Sequence, residues 1–424
     1  MKRFILLSLL CCLALGMSAQ TAKEEIFENI HLSAANHYAY PEPDFKMTAP
    51  PKGYKPFYLS HYARHGSRYR VNPDDYTKTL AILREAEKDG VLTELGKKTL
   101  DIVDSLARMA EGRYGELTPL GARQHRGIAK RMYENFPEVF QGEAEVDARS
   151  TVVIRCILSM VAECLQLQSQ NPKLRIKNDA SYYDMYYMNN EDEYYRKQCR
   201  TDEVLAVKED FRKKHLHLER LMKSLFSSDD YVKWKVDADK LMSYLFELAA
   251  IMQNHDDTDI ELYSLFTKEE CYDLWLLNNL NWYINYASSP LTQGKMPYLE
   301  TNLLENILNT ADTCIMKKEN SATLRFGHES CVLPLACLME LGDCAYQTTE
   351  LNDLADVWRN YRIFPMACNI QLVFYRKKGS DDILVKALLN EQEMTLPVES
   401  DLAPYYYWKD VETYYRNKLA AFKK

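Results

Sequence analysis

The sequence has no Cys-x-x-Cys pair, no Cys/His cluster at zinc spacing and no low-complexity tract. The first two absences argue against a structural metal site, and His215 and His217, two apart, would not share a helix face. With 14 Gly and 15 Pro in 424 residues, the chain does not read as disordered. It also lacks a basic excess. The balance is 53 Lys+Arg against 61 Asp+Glu, net −8, which is the wrong sign for a general nucleic-acid binder. Apolar residues make up 46% and charged residues 27%, as in ordinary globular chains. At about 150 residues per domain, the length suggests two or three domains or one large domain with an insertion.

One apolar run is present, at the N-terminus. Residues 1–19 read MKRFILLSLLCCLALGMSA. Lys2 and Arg3 form a basic start, Phe4 to Leu15 an apolar stretch, and Ser18-Ala19 a small-residue cleavage site before Gln20. That is the pattern of a secretory signal peptide, and the run is too short to span a bilayer. Neither Cys11 nor Cys12 follows the small residues of a lipoprotein site. An exported protein, periplasmic or secreted and without an integral span after cleavage, is therefore expected. Nine cysteines remain, an odd number that cannot all pair, so the chain is not a disulfide scaffold.

Further along, strands and helices alternate. Residues 54–62 read as a strand running into a loop, Ala63 to Arg68. Helices are expected over 76–88 and 94–111. A third starts with Thr118 as N-cap and Pro119 at the first position and runs to about Tyr133. A short strand at 145–148 precedes a helix whose apolar residues Ile154, Ile157, Leu158, Val161 and Leu165 repeat at helical spacing. Residues 302–309 and 332–341 read as helices, the second closed by Gly342, and 322–326, 371–376 and 383–388 as strands with a turn at 390–393. Between the two halves, residues 181–285 are rich in Tyr, Lys, Asp and Glu and read as amphipathic helices. The expected class is α/β, a mainly parallel sheet flanked by helices with an inserted α-helical cap. The expected parts are signal 1–19, core 20–180, cap 181–290 and core 291–424.

The sharpest local signal is Arg64-His65-Gly66-Ser67-Arg68 after the first strand. Phosphoryl transfer to a side chain needs a nucleophile, fixed positive charge for the equatorial oxygens and room for approach. His65 offers an imidazole nitrogen, and Arg64 and Arg68 offer guanidinium forks. Gly66 leaves out a Cβ that could block approach. Taken alone, the pentapeptide is also compatible with a surface loop.

Other motifs follow in order, and with them the sequence resembles the histidine acid phosphatases, clade 2 of the histidine phosphatases, which include phytases and multiple inositol polyphosphate phosphatases. Arg64 to Arg68 matches their nucleophile motif, Leu117 to Arg126 (LTPLGARQHR) their Leu-Thr-Pro-x-Gly segment, and Ser150 to Met160 their third-arginine segment. Leu324 to Glu329 (LRFGHE) matches their distal His-acid motif, and Leu384 to Val398 their C-terminal hairpin. The resemblance covers roughly residues 50–180 and 300–400.

It implies a histidine phosphatase fold and a metal-independent phosphomonoesterase without a cofactor. The implied substrate is a small-molecule phosphate ester, of the inositol polyphosphate (phytate) class. His65 would attack phosphorus, Arg64, Arg68, Arg155 and His328 would hold its oxygens, and Glu329 would protonate the leaving alcohol. The other ring nitrogen of His65 should donate to a backbone carbonyl. General phosphatase activity on sugar phosphates or nucleotides, and phosphate-ester binding without turnover, are the alternatives.

Two departures stand out. Arg70 replaces the proline usual two residues after the second Arg, and the acid motif is His-Glu-Ser rather than His-Asp or His-Ala-Glu. Tyr69 resembles the inositol polyphosphate subgroup, so Tyr69 and Arg70 are candidate substrate contacts. Tyr182, Tyr183, Tyr186, Tyr187, Tyr194 and Tyr195 either pack the cap or line the pocket. The basic residues Arg196, Lys197, Arg200, Lys208, Arg212, Lys213 and Lys214 form either a solvated face or a rim attracting a polyanion.

Overall fold

The computed structural model describes residues 20–43, 46–189, 191–317 and 319–422. The expected signal peptide, residues 1–19, lies outside the described residues. The chain runs β1 (Tyr54–Arg64), α1 (Asp74–Lys88), α2 (Glu94–Ala110), α3 (Pro119–Asn135), β2 (Glu145–Ser150), α4 (Ile154–Gln170) and β3 (Arg175–Ala180). It continues through α5 (Asp202–His215), α6 (Ala238–Met252), α7 (Lys268–Tyr286), α8 (Thr301–Lys317), β4 (Ser321–Gly327) and α9 (Glu329–Leu338). It closes with β5 (Asn369–Lys377), β6 (Ile383–Leu389), β7 (Gln392–Met394), β8 (Tyr406–Tyr407) and α10 (Trp408–Ala421), with short helices between.

One sheet runs β3-β2-β4-β1-β5-β6-β7, with β8 on β6. The α/β class with helices on the sheet stands, but the sheet is mixed rather than mainly parallel. β1–β4, β4–β2 and β2–β3 are parallel; β1–β5, β5–β6, β6–β7 and β6–β8 are antiparallel. For β5–β6 and β6–β7 the reason is connection length. β5, β6 and β7 are joined by short links, and short links permit only antiparallel neighbours. At the β6–β7 turn, Asn390 and Glu391 both take positive φ, 51° and 68°, as a two-residue hairpin with primed-turn twist requires.

Both faces of the sheet are covered. α3 and α4 bury Ile128, Met132, Met160 and Leu167 against Leu59, Val146 and Leu324. On the other face Leu303, Leu304 and Ile307 of α8 and the apolar run of α9 pack on Tyr58, Tyr62, Leu372 and Phe374. A separate helical core joins two distant segments: Leu83 and Val103 of α1 and α2 pack with Leu225, Leu241 and Leu245. The helical region is thus built from residues 74–110 as well as from the stretch after β3. Truncating one of these fully buried leucines to alanine would cost about 2–5 kcal/mol.

Helix ends follow the capping rules. Thr118 accepts from the Gly121 N–H at 3.2 Å and Pro119 opens α3. α9 ends at Leu338, three residues before the expected stop, where Glu340 (φ 53°) and Gly342 (φ 49°) turn the chain. β3, β7, β8 and α10 carry no periodic signal strong enough to be read from sequence. Among the described residues, no helix is long and apolar enough to cross a membrane.

Candidate active site

β1 and β4 are parallel neighbours whose register pairs Arg64 with Gly327. Their C-terminal ends therefore deliver two distant motifs side by side: Arg64-His65 as β1 ends and His328-Glu329 as β4 ends. The crevice outside the carboxyl ends of the strands is where open α/β sheets bind ligands. The loop is stapled on both sides. The His65 N–H donates to Gly327 O (3.0 Å), and the Arg64 N–H to Cys368 O (2.9 Å). β2, the other neighbour of β4, feeds α4, whose first turn carries Arg155. One turn on, Ser159 Oγ accepts from the Gly66 N–H at 3.1 Å.

His65 is 1% exposed. Its Nδ1 lies 2.9 Å from the Gly66 carbonyl oxygen, which assigns the proton to Nδ1 and leaves the Nε2 lone pair free, as expected. Nε2 faces Glu329 Oε2 at 3.9 Å, and the ring stands edge-on to His328 with centroids 5.7 Å apart. Burial, then the positive charges of Arg64, Arg155 and Arg68, hold His65 well below the ordinary imidazole range. His65 is therefore neutral at neutral pH, the state a nucleophile needs.

Arg64 is fully buried. Its Nη1 donates to the carbonyls of Asn36 (2.5 Å) and Phe364 (3.2 Å), and its Nη2 to Glu329 Oε1 (2.9 Å). Nε of Arg64, of Arg68 and of Arg155 is buried without a partner among the described residues. All three arginines act electrostatically on His65, and each thus keeps a buried donor to offer, which suits an oxyanion. Burial lowers Arg68 to about 9; Glu329 opposes the shift, and Arg64, Arg70 and Arg155 add to it. It is still protonated at neutral pH, but crowded by like charges. Burial pushes Glu329 up, yet Arg64, Arg68 and His328 pull it down to about 2. His328 is lowered to about 4, by burial first, with Glu329 opposing. It caps α9 without a side-chain cap bond, so that helix points its positive dipole end at the cluster.

Gly66 serves a different purpose from the one expected. A Cβ there would lie 2.4 Å from the Gly121 carbonyl oxygen, and a Cβ on Gly121 2.3 Å from Ser67 O. The missing methyl groups let the loop seat on the first turn of α3; they do not clear a path for substrate. Thr118 locks that seat through its N–H (2.9 Å) and Oγ1 (3.1 Å), both donating to Ser67 O. Gln124 adds bonds to the Ser67 N–H and hydroxyl, each 2.9 Å.

Tyr69 and Arg70, expected at the substrate, are turned to other partners. Tyr69 is buried, its hydroxyl accepts from Arg113 (2.6 Å), and its ring meets His255. Arg70 is held by Asp75 and Glu247 at 2.6 and 2.7 Å. The tyrosine cluster divides: Tyr182, Tyr183 and Tyr186 are exposed, and Tyr187 and Tyr195 are buried.

Asn36 and His37 were not legible in sequence. An irregular segment, Ile30–His37, passes beside the site, where Asn36 receives Arg64 and stands 3.4 Å from Glu329, and His37 meets Glu247 at 3.0 Å. No motif marks them. A cavity of about 350 Å³ begins at Ser330, the residue after Glu329, and is lined further by Tyr286, Asn285, Arg196, Arg200 and Lys208. Three of the notable basic residues therefore border it. The ligand-type atoms of His65, His328 and Glu329 lie within 4.8 Å of one another, a spacing that would admit a cation. Arg64, Arg68 and Arg155 oppose one electrostatically.

Residues 62–390 match the histidine phosphatase superfamily (branch 2). The chain is 23% identical over 405 residues to multiple inositol polyphosphate phosphatase 1 of Gallus gallus, covering 87% of this chain and 83% of that protein. Its fold is similar to the Bifidobacterium longum multiple inositol polyphosphate phosphatase solved with inositol hexasulfate, with TM-score 0.75 and 18% identity over 92% of this chain and 97% of that one. It is also similar to the phytase from D. castellii, with TM-score 0.68 and 16% identity over 96% and 89% of the two chains.

Proposed function

The chain belongs to the histidine phosphatase superfamily, branch 2, and from that premise we propose that it hydrolyses phosphate monoesters of the inositol polyphosphate class through a phosphohistidine. The observation that carries this reading is His65: buried, neutral, its Nδ1 proton held by Gly66 O, and surrounded by three arginines with unspent donors.

In the first step the Nε2 lone pair attacks phosphorus and the P–O bond to the alcohol breaks. Arg64, Arg68 and Arg155 stabilise the charge on the equatorial oxygens, and His328, neutral above about pH 4, donates a ring N–H to them. Glu329 gives its proton to the leaving alcohol. In the second step it takes a proton from water, which attacks the phosphohistidine and releases orthophosphate. Glu329 must first carry a proton. A phosphate ester dianion offsets the cations that hold its carboxyl near 2, so substrate binding itself raises Glu329 toward protonation.

The same arginines supply the positive charge a metal would otherwise bring, so the reaction is metal-independent. The cavity that begins at Ser330, bordered by the cations Arg196, Arg200 and Lys208, favours an alcohol that carries further phosphates. Residues 181–290 act as the cap over this site, and the N-terminal signal directs export to the periplasm or medium.

Phosphate release from phytate and p-nitrophenyl phosphate, with EDTA present, tests the proposal. Turnover by the wild type with loss of at least about 10³-fold in His65→Ala supports it. Equal preference for both substrates would favour a general phosphatase. No release from either would leave a phosphate-ester-binding protein.

A further inference from the structure

Arg70, which stands in place of the motif's usual proline, belongs to a second charge cluster abutting the first. Its Nε donates to Asp75 Oδ2 (2.6 Å), Nη2 lies 2.6 Å from the same oxygen, and Nη1 lies 2.7 Å from Glu247 Oε2. Asp75 sits in the first turn of α1 and Glu247 on α6, so the ion pairs tie the end of the nucleophile loop to the helical region. His37 Nε2 lies 2.6 Å from Arg70 Nη1 and 3.0 Å from Glu247 Oε2. One ring nitrogen cannot both accept from Arg70 and donate to Glu247. Its other nitrogen, Nδ1, is buried without a partner among the described residues. Burial lowers His37 to about 4, so it is neutral at neutral pH and does not balance either neighbour's charge. This cluster holds one cation against two carboxylates, whereas the phosphate cluster holds Arg64, Arg68 and Arg155 against Glu329 alone. Arg68 joins them, two residues from Arg70 in the chain and electrostatically coupled to it, to His37 and to Glu247.

We infer that Glu247 is a positioning residue that acts through Arg70: it holds Arg70 away from the phosphate and supplies the surplus negative charge that weakens the pocket's grip on orthophosphate, so that product leaves. This rests on reading the arginine cluster as the phosphate site. An enzyme gains nothing from binding product as tightly as it binds the transition state. The motif's usual proline would need no such counter-charge, but an added arginine does. Between neighbouring partly buried charges, the loss of one carboxylate is worth about one order of magnitude in the affinity of a dianion.

The test is orthophosphate binding by calorimetry, which needs no turnover, together with product inhibition of p-nitrophenyl phosphate hydrolysis. Glu247→Gln should bind orthophosphate about tenfold more tightly, with a lower inhibition constant and a lower kcat. Arg70→Gln combined with Glu247→Gln should return the affinity to within about threefold of wild type, because both charges are gone. Asp75→Asn should tighten binding in the same direction, and it decides the matter if Glu247→Gln does not fold. A role confined to holding the fold together would lower thermal stability and leave the phosphate affinity of the folded protein unchanged. Unchanged or weaker binding in both Glu247→Gln and Asp75→Asn overturns the inference while leaving the site reading intact. A wild type that binds no orthophosphate overturns both.

Discussion

The proposed mechanism asks two opposite things of Glu329. As an acid it must hold a proton, yet Arg64 at 2.9 Å and the nearby Arg68 keep its carboxyl ionised. The resolution proposed above is that substrate charge quiets those cations. A direct consequence is leaving-group dependence. Glu329→Gln keeps the shape and the Arg64 contact but cannot give a proton. Its kcat on phytate, whose alcohol leaves poorly, should fall about 10²–10⁴-fold, while p-nitrophenyl phosphate, whose phenolate leaves unaided, should lose far less. Equal losses on both substrates would remove Glu329 from the acid role. Motif order alone singled out Glu329 and His65 as candidates. It did not single out Asn36 and His37: they act from an irregular segment whose residues reach the site only when the chain has folded.

Between elements, the decisive contact is the nucleophile loop on α3. Gly66 and Gly121 pack backbone on backbone, and Thr118 and Gln124 hold Ser67 from the same helix. A methyl at Gly66 would meet backbone atoms at 2.4–2.7 Å, and backbone cannot step aside as a flexible side chain can. Gly66→Ala and Gly121→Ala should each cost about 1–3 kcal/mol of stability. Each should also cost at least tenfold in kcat/KM, because a displacement of about 1 Å at the nucleophile is expensive. Thermal melts and initial rates on the purified variants check both effects. Wild-type activity in either variant would show the loop to be more tolerant than its packing implies. The sequence signalled this segment through Thr118-Pro119, a readable helix start. The partner of Gly66 was not readable, because it lies 55 residues further along the chain and meets Gly66 only in the fold.

Across the whole molecule, burial has depressed a set of imidazoles. His37, His61 and His255 are 4%, 1% and 4% exposed, and burial pushes each to about 4 from an ordinary 6.5. Between those values the unfolded chain binds protons that the native one refuses. Stability is therefore complete above about pH 6.5 and falls as pH drops toward 4. A shift of this size is worth at most about 3 kcal/mol per buried histidine. The carboxylates act later and in the same direction. Glu247 and Glu329 are held near 2, so their contribution is present above about 4.5 and fades between 4.5 and 2. Thermal melts should show a level Tm from pH 8 to about 6.5 and a fall from there to pH 4, and His61→Gln should reduce that fall. A Tm independent of pH over that range would contradict this account. If the enzyme works in acid, it does so on the falling side of its own stability.

Local chemistry was legible wherever neighbours in sequence are neighbours in space. β1 with the loop after it, the N-cap of α3, the apolar spacing of α4 and the His-acid step into α9 all follow from side-chain size, capping and period over a few residues. Together with the order of the motifs, they determined the family, the α/β class and the identity of His65, Arg64, Arg68, Arg155, His328 and Glu329 as the residues to watch. Folding decided what depends on contacts between distant segments. It brought β1 beside β4 in the register that unites the two motifs, and it turned the C-terminal strands antiparallel through short links. It also drew α1 and α2 into the helical region and enclosed Arg70 between Asp75 and Glu247. No local rule carries that information, because a charge is paired, a glycine is required or a histidine is neutral only by virtue of what packs against it.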